Sequence, residues 1–396
     1  MPAAEPKRSP RIAAIVAALV LLLILALVFV LKLVNQQEPR EALVNDYGAQ
    51  IEEYDGHLEV NLSSPGIKDL SEIAALLKQL DRVSSLVIAQ CPSLENLQGL
   101  ELLTEIEDFS VIDCARLSSV DDISWLKQLR TLTISECFQL DGEITIPAAP
   151  SLEGVYIENC PKLDRITFAE TPALKQLFLG GDVQLSAIGG LENLRELTDL
   201  DISTCHQLKQ LDGIESLDKL LMFDLRNCVS LASLDFLEKL SSLEILRLGG
   251  LEDFQDLSSL SKLNQLREIH VEACENLKSL NGLSPSNQLS YAGFTYCANL
   301  SSLDGLAKAR QLEQLTLTGN EQLTDISALT GLKLLQNVDF AHCKKLADVS
   351  PLTLVKQLQL IQLADTKVSA ADIKTLQKAL PKTIIVQVVE DSSPSY

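Results

Sequence analysis

The nine cysteines of this 396-residue chain all fall on one 23-residue beat. Cys91, Cys114, Cys137 and Cys160 stand 23 apart; one 22-residue step leads to Asp182, and the beat resumes at Cys205 and Cys228. It passes Leu251, returns at Cys274 and Cys297, passes Asn320, strikes Cys343 and ends at Thr366. A fixed period of this length demands a solenoid, because each turn has an apolar face that it buries only against its neighbours. Neither a disulfide framework nor a zinc ribbon fits, since the cysteine count is odd and CxxC spacing is absent. The ladder marks one inward point per turn, a place for a small apolar side chain with a weak S–H donor. Equivalent Cβ atoms in neighbouring strands lie near the strand spacing of about 4.8 Å, wider than the about 3.8 Å a disulfide requires. The thiols are expected to stay reduced.

Ahead of each ladder point stands Leu-x-x-Leu-x-Leu-x-x-Cys, as in Leu129, Leu132, Ile134, Cys137 and in Leu197, Leu200, Ile202, Cys205. Leu312, Leu315, Leu317, Asn320 keep the frame with Asn in the cysteine's place. The alternation predicts a short strand with one buried face, and stacking of turns predicts one parallel sheet. After the ladder point apolar residues recur every third position, as Leu94, Leu97, Leu100, Leu103 and as Leu208, Leu211, Ile214, Leu217. That spacing suits a 3₁₀-like or extended segment better than an α-helix. Gly99, Gly190, Gly213, Gly282 and Gly305 each follow a ladder point by eight residues, which is turn chemistry leading into the outer segment. Two turns break the rule of three: GEITIPAAPSL and DRITFAETPAL set Ile144 and Ile146, then Ile166 and Phe168, in strand-like alternation. A local change of the outer segment is expected there.

On these residues the chain resembles the leucine-rich repeat family over roughly residues 58–389, and its short repeats are similar to the bacterial internalin-like class. The resemblance implies an α/β repeat solenoid, a horseshoe with a parallel concave β-sheet and mostly 3₁₀ or extended convex segments. It also implies recognition of a protein or peptide on the concave face, and it brings no catalytic residue. Cysteine at the ladder position resembles the cysteine-containing subclass, but those repeats are longer and helical, so that subclass's functions are not carried over.

The ends read differently. Ile12 to Leu31 are twenty consecutive uncharged apolar residues, about 30 Å as a helix and enough to cross a bilayer core. The stretch is too long for a cleaved signal peptide and no small-x-small site follows it, so residues 12–34 read as a transmembrane signal anchor. Lys7, Arg8 and Arg11 precede it while Lys32 and Arg40 follow, which orients residues 1–11 to the cytoplasm and the repeats outside, as in a bacterial inner membrane. Residues 35–56 read as a stalk, 57–389 as the repeat domain with its caps, and 390–396 as a disordered tail. The first strand is expected at His57–Leu62 and a capping helix at Ser71–Leu80. At the far end Ser369 and Asp372 form a capping-box-like start for a helix to about Leu380, which Pro381 stops, and Ile384–Val389 supplies a closing strand.

Charge narrows the partners. The chain carries 33 basic and 54 acidic residues, of which four and one lie in the first 35, leaving the body at net −24. Such a body repels phosphate backbones, so nucleic acid is not an expected partner and a basic or mixed-charge protein is. His57, His206, His270 and His342 share no metal spacing, and HExxH, P-loop and GxSxG motifs are absent, so no cofactor, metal or catalysis is expected. The residue four before each ladder point must face out of the core on the concave side. In order, that column reads Val87, Ser110, Thr133, Tyr156, Phe178, Asp201, Asp224, Arg247, His270, Gly293, Thr316, Asp339 and Gln362. Tyr156, Phe178, Asp201, Asp224, Arg247 and His270 form the candidate ligand-binding set, with Tyr291 and Tyr296 as further exposed aromatics. The strand preference of aromatic rings accounts for the same residues without a ligand, and a structural envelope scaffold or spacer stands beside the binding reading.

Overall fold

The computed structural model describes residues 38–387 apart from 183, 253 and 284–287. Within them, one sheet of 16 strands runs the length of the solenoid in chain order, with its first strand, Gln50–Tyr54, antiparallel to His57–Leu62 and the rest parallel. The strands pair at the repeat period, so Leu132 sits beside Val155, Leu177, Leu200, Phe223 and Leu246 in turn. The single 22-residue step leaves this register intact, because the missing residue is taken out of the outer segment and Tyr156 still pairs with Phe178.

The frame explains the core. In the Cys205 turn, Leu197, Leu200, Ile202, Cys205, Leu208, Leu211, Ile214 and Leu217 all face inward and are buried. Each such leucine or isoleucine contributes about 1.5–3 kcal/mol against exposure, and only because the adjacent turns cover it. Most outer segments are 3₁₀ turns, such as Leu100–Leu102, Ile214–Ser216 and Asp235–Lys239. Gly99, Gly190 and Gly213 stand immediately before their turns with positive φ. The two turns that break the rule of three carry strands instead, Asp141–Ile146 and Lys162–Phe168, and a third strand at Ala187–Gly189 joins them in a small parallel convex sheet. Ile144, Ile146, Ile166 and Phe168 are its buried face.

All nine cysteines are buried and free. Six of the thiols lie against carbonyls of the preceding turn, with Cys228 Sγ at 3.0 Å from Ile202 O and Cys343 Sγ at 3.2 Å from Leu317 O. Burial pushes both of these thiols up to about 12, so they are un-ionised and poor nucleophiles at neutral pH. Asn320 fills the same place with more bonds: its Nδ2 donates to Phe294 O at 2.6 Å and Leu317 O at 2.7 Å, and its Oδ1 accepts from Cys297 N. Asp182 Oδ1 likewise accepts from Cys160 N at 2.7 Å. Thr366, the last ladder point, is only half-buried because no further repeat covers it.

Immediately before every ladder point the backbone turns left-handed. Gln90, Asp113, Glu136, Asn159, Gly181, Thr204, Asn227, Gly250, Ala273, Tyr296, Gly319, His342 and Asp365 all have φ between 51° and 84°. One such residue per turn re-aims the chain so that the next side chain points into the core.

The caps differ from expectation at the N-terminus. The expected stalk is folded from Glu38 on: residues 38–47 are helical, Leu43 is fully buried, and Gln50–Tyr54 extends the sheet. The polar composition of this segment hid the one leucine that anchors it. Helix Ser71–Leu77 covers the open core with Ile73, Ala74 and Leu77. At the other end, helix Ala370–Ala379 starts where Ser369 Oγ accepts from Asp372 N, and Ile384–Val386 pairs with Leu360–Gln362. Among the described residues no helix is long and apolar enough to cross a membrane. The predicted span 12–34 and the tail 390–396 lie outside the described residues.

Candidate functional site

The sheet register carries the expected concave column into one unbroken line. Thr133 pairs with Tyr156, Tyr156 with Phe178, Phe178 with Asp201, Asp201 with Asp224, Asp224 with Arg247, and Arg247 with His270. Five strand spacings separate Tyr156 from His270, or about 24 Å at about 4.8 Å each. Along this line the six candidates fall into two groups of different chemistry.

In the first group the rings of Tyr156 and Phe178 stack, with centroids 5.3 Å apart and planes at 18°. Such a pair is worth about 0.5–1.5 kcal/mol beyond its burial. The Tyr156 ring lies flat because Gly154 is beneath it; a Cβ there would come within 2.8 Å of ring carbon Cε2. Its hydroxyl donates to Gln176 Oε1. Burial and the charge of Asp199 push that hydroxyl above the ordinary tyrosine range, which keeps it a neutral donor. Three acids stand around the rings, Glu158 on the Tyr156 strand and Asp199 and Asp201 on the strand beyond Phe178. Burial, then the like charge of Asp201, lifts the Glu158 carboxyl. Asp201 Oδ1 accepts from Ser203 N at 2.8 Å, which fixes its carboxylate.

The second group is self-neutralised. Asp224 does not present a free carboxylate to solvent: it is 1% exposed, and Arg226 closes over it with Nε at 3.0 and 3.1 Å from its two oxygens and Nη2 at 2.7 Å from Oδ2. Hydrogen bonding to Asp224 holds the Arg226 guanidinium above its usual range. Arg247 adds a second positive charge at 4.0 Å from Asp224 Oδ2. The exposure expected for Asp224 is corrected accordingly, and Arg226, two residues along the same strand, takes its place at the surface. His270 stacks on Tyr291 with ring centroids 4.5 Å apart, and Tyr291 lies over Gly293, where a Cβ would sit 2.9 Å from its hydroxyl. Burial, then the Arg247 charge, lowers the His270 imidazole, so it is neutral at pH 7. Arg226, Arg247, His270, Tyr291 and Thr295 help to line a small pocket of about 130 Å³ here. Tyr296, 54% exposed, belongs to the left-handed column instead and covers Gly319.

Reading one column missed Glu158, Gln176, Asp199 and Arg226. The signal was available: in a strand, residues two apart share a face, so positions two before and two after each column member also line the concave surface.

A model of the BspA-type leucine-rich repeat region matches residues 68–179, 184–301 and 250–362. The chain belongs to that family. The BspA-type repeats account for most of the chain, and their fold is a repeat scaffold rather than an enzyme's framework. The solenoid is similar to a crystal structure of an internalin, InlF, of Listeria monocytogenes, at TM-score 0.52 and 18% identity, covering 80% of this chain and 83% of that one. It is also similar to the functional domain of InlJ from the same organism, described as including a cysteine ladder, at TM-score 0.50 and 18% identity, covering 80% and 68%. At these identities the likeness is one of fold. No curated protein matches the sequence. Membership of the BspA-type leucine-rich repeat family points to a role in protein interaction or as a scaffold. Among the described residues no His, Cys, Asp and Glu cluster has the makings of a metal site.

Proposed function

We propose that this chain is a membrane-anchored, non-catalytic capture protein whose concave face binds a basic or mixed-charge protein or peptide. The observation that carries the reading is the stacked Tyr156–Phe178 pair on the concave surface, flanked by acids and adding nothing to the closed core. Aromatic rings with a small conformational-entropy cost are the side chains that dominate protein interfaces. Phe178, Tyr156, Asp201, Arg247 and His270 are the contact residues in this reading, with Asp224 as the buried counter-ion that positions Arg226 and Arg247. The net charge of −24 on the body after residue 35 favours a positively charged partner and speeds its encounter.

The anchor is residues 12–34, placed in a bacterial inner membrane with residues 1–11 in the cytoplasm and the repeats outside. A reporter that is active only outside the cytoplasm, fused after Val389, is expected to be active; a well-expressed but inactive fusion reverses the topology. For the face itself, Tyr156→Ala with Phe178→Ala is expected to abolish capture of specific partners from a membrane extract, while the lost stack costs only about 1–2 kcal/mol and leaves the repeats folded. Unchanged capture would remove the concave site and leave a spacer or envelope scaffold.

A further inference from the structure

The acids of this body are not treated alike. Glu153 has both Arg130 and Lys175 at 3.3 Å, Glu196 has Lys219 at 2.6 Å, Glu244 has Arg267 at 3.2 Å, and Asp224 has Arg226. Glu158, Asp199 and Asp201, which surround the Tyr156–Phe178 stack, have no cation within 4.0 Å among the described residues. Arg226 lies near enough to feel Asp201, but it spends its hydrogen bonds on Asp224. Between Glu158 and Ser203, two strand spacings apart on the same face, stands Gly180. A Cβ at this position would meet Ser203 Oγ at 3.2 Å and Asp201 Oδ1 at 3.6 Å, so the glycine leaves a notch floored by backbone and walled by the Ser203 hydroxyl and the Asp201 carboxylate. The Phe178 ring stands on the same strand segment, two residues away. A ring face beside uncompensated carboxylates, over a floor without a side chain, is a receptor for a cation with an apolar stem.

We infer that Phe178, Tyr156, Glu158, Asp201 and Gly180 form a subsite for a single lysine or arginine side chain of the partner, its methylenes on the ring and its charge between the two carboxylates. This rests on the concave-face reading and sharpens it: the basic character of the partner is read at one notch, while the neutralised Asp224–Arg226 and His270–Tyr291 region supplies shape.

The subsite is tested on the full chain by saturation-transfer NMR with blocked pentapeptides, acetyl-Gly-Gly-X-Gly-Gly-amide, where X is lysine, arginine, acetyl-lysine or glutamate. Transfer to the lysine and arginine methylenes is expected, with acetyl-lysine and glutamate weaker by about tenfold. The double variant Glu158→Gln, Asp201→Asn keeps an oxygen for the Ser203 amide and is expected to lose the lysine signal without a change in melting temperature. Phe178→Ala is expected to lose it too. Equal transfer to lysine and acetyl-lysine, or a lysine signal surviving in the double variant, overturns the subsite. If the lysine signal is absent while Tyr156→Ala with Phe178→Ala still abolishes partner capture, the cation subsite fails and the concave-face reading stands. If capture survives those alanines, the wider reading fails as well.

Discussion

Asp182 is the residue that a dry cysteine column tolerates least. Its Oδ1 accepts from Cys160 N, yet its Oδ2 is buried without a partner, and burial lifts its carboxyl to about 9. Both facts describe a neutral carboxylic acid, at a ladder point where the Asn320 amide makes two donated bonds. An unfolded aspartate releases its proton near pH 3.9, the folded one only near 9. The folded state thus holds an extra proton between these values. The contribution of this residue to stability is complete below about pH 4 and falls by about 1.4 kcal/mol for each pH unit up to about 9. Asp182→Asn is expected to be neutral near pH 4 and stabilising by about 4 kcal/mol at pH 7, measured by denaturant midpoints across pH. A constant difference between variant and parent would mean that the carboxyl is ionised. The same scale holds the column of left-handed residues before each ladder point, ten of them not glycine, at about 1–2 kcal/mol each. It escaped the sequence because its residue types vary from Gln to Tyr to Ala; only its fixed place beside the ladder gives it away.

At the scale of elements, the inner strands and 3₁₀ turns were legible because both follow from one repeating pattern of apolar residues, at spacing two before the ladder point and three after it. The Asp141–Ile146 and Lys162–Phe168 strands were legible as a departure from that pattern. The third convex strand, Ala187–Gly189, was not, since three residues with one buried isoleucine carry no alternation; it forms by pairing with Lys162–Phe168. The helix over 38–47 was hidden for a related reason: tertiary burial of Leu43, not local sequence, determines that this segment is a cap. The candidate column was placed correctly on the concave strands by counting from the cysteines. Counting does not reveal which charges cancel. Asp201 and Asp224 look equivalent in the sequence, and the arginine two residues after Asp224 separates an acid paired with a cation from one held only by a backbone amide.

At the scale of the molecule, each turn touches only its neighbours, so the solenoid is a rigid ruler with a surface written one row at a time. The cysteines, buried and free, belong to the ruler. The rows that differ in chemistry lie together: the acid-flanked aromatic pair, the convex sheet behind it and the 22-residue step all fall between Cys137 and Cys205. The proposed engagement of a partner falls there, on the concave side. Site-directed photo-crosslinking tests it most directly, with a photoreactive phenylalanine at Thr133, beside Tyr156 on the concave face, or at Glu143 on the exposed side of the convex sheet. A discrete adduct is expected from Thr133 and not from Glu143, and it is expected to disappear when Tyr156 and Phe178 are alanine. Adducts from Glu143 alone, or a Thr133 adduct indifferent to the two alanines, would contradict it.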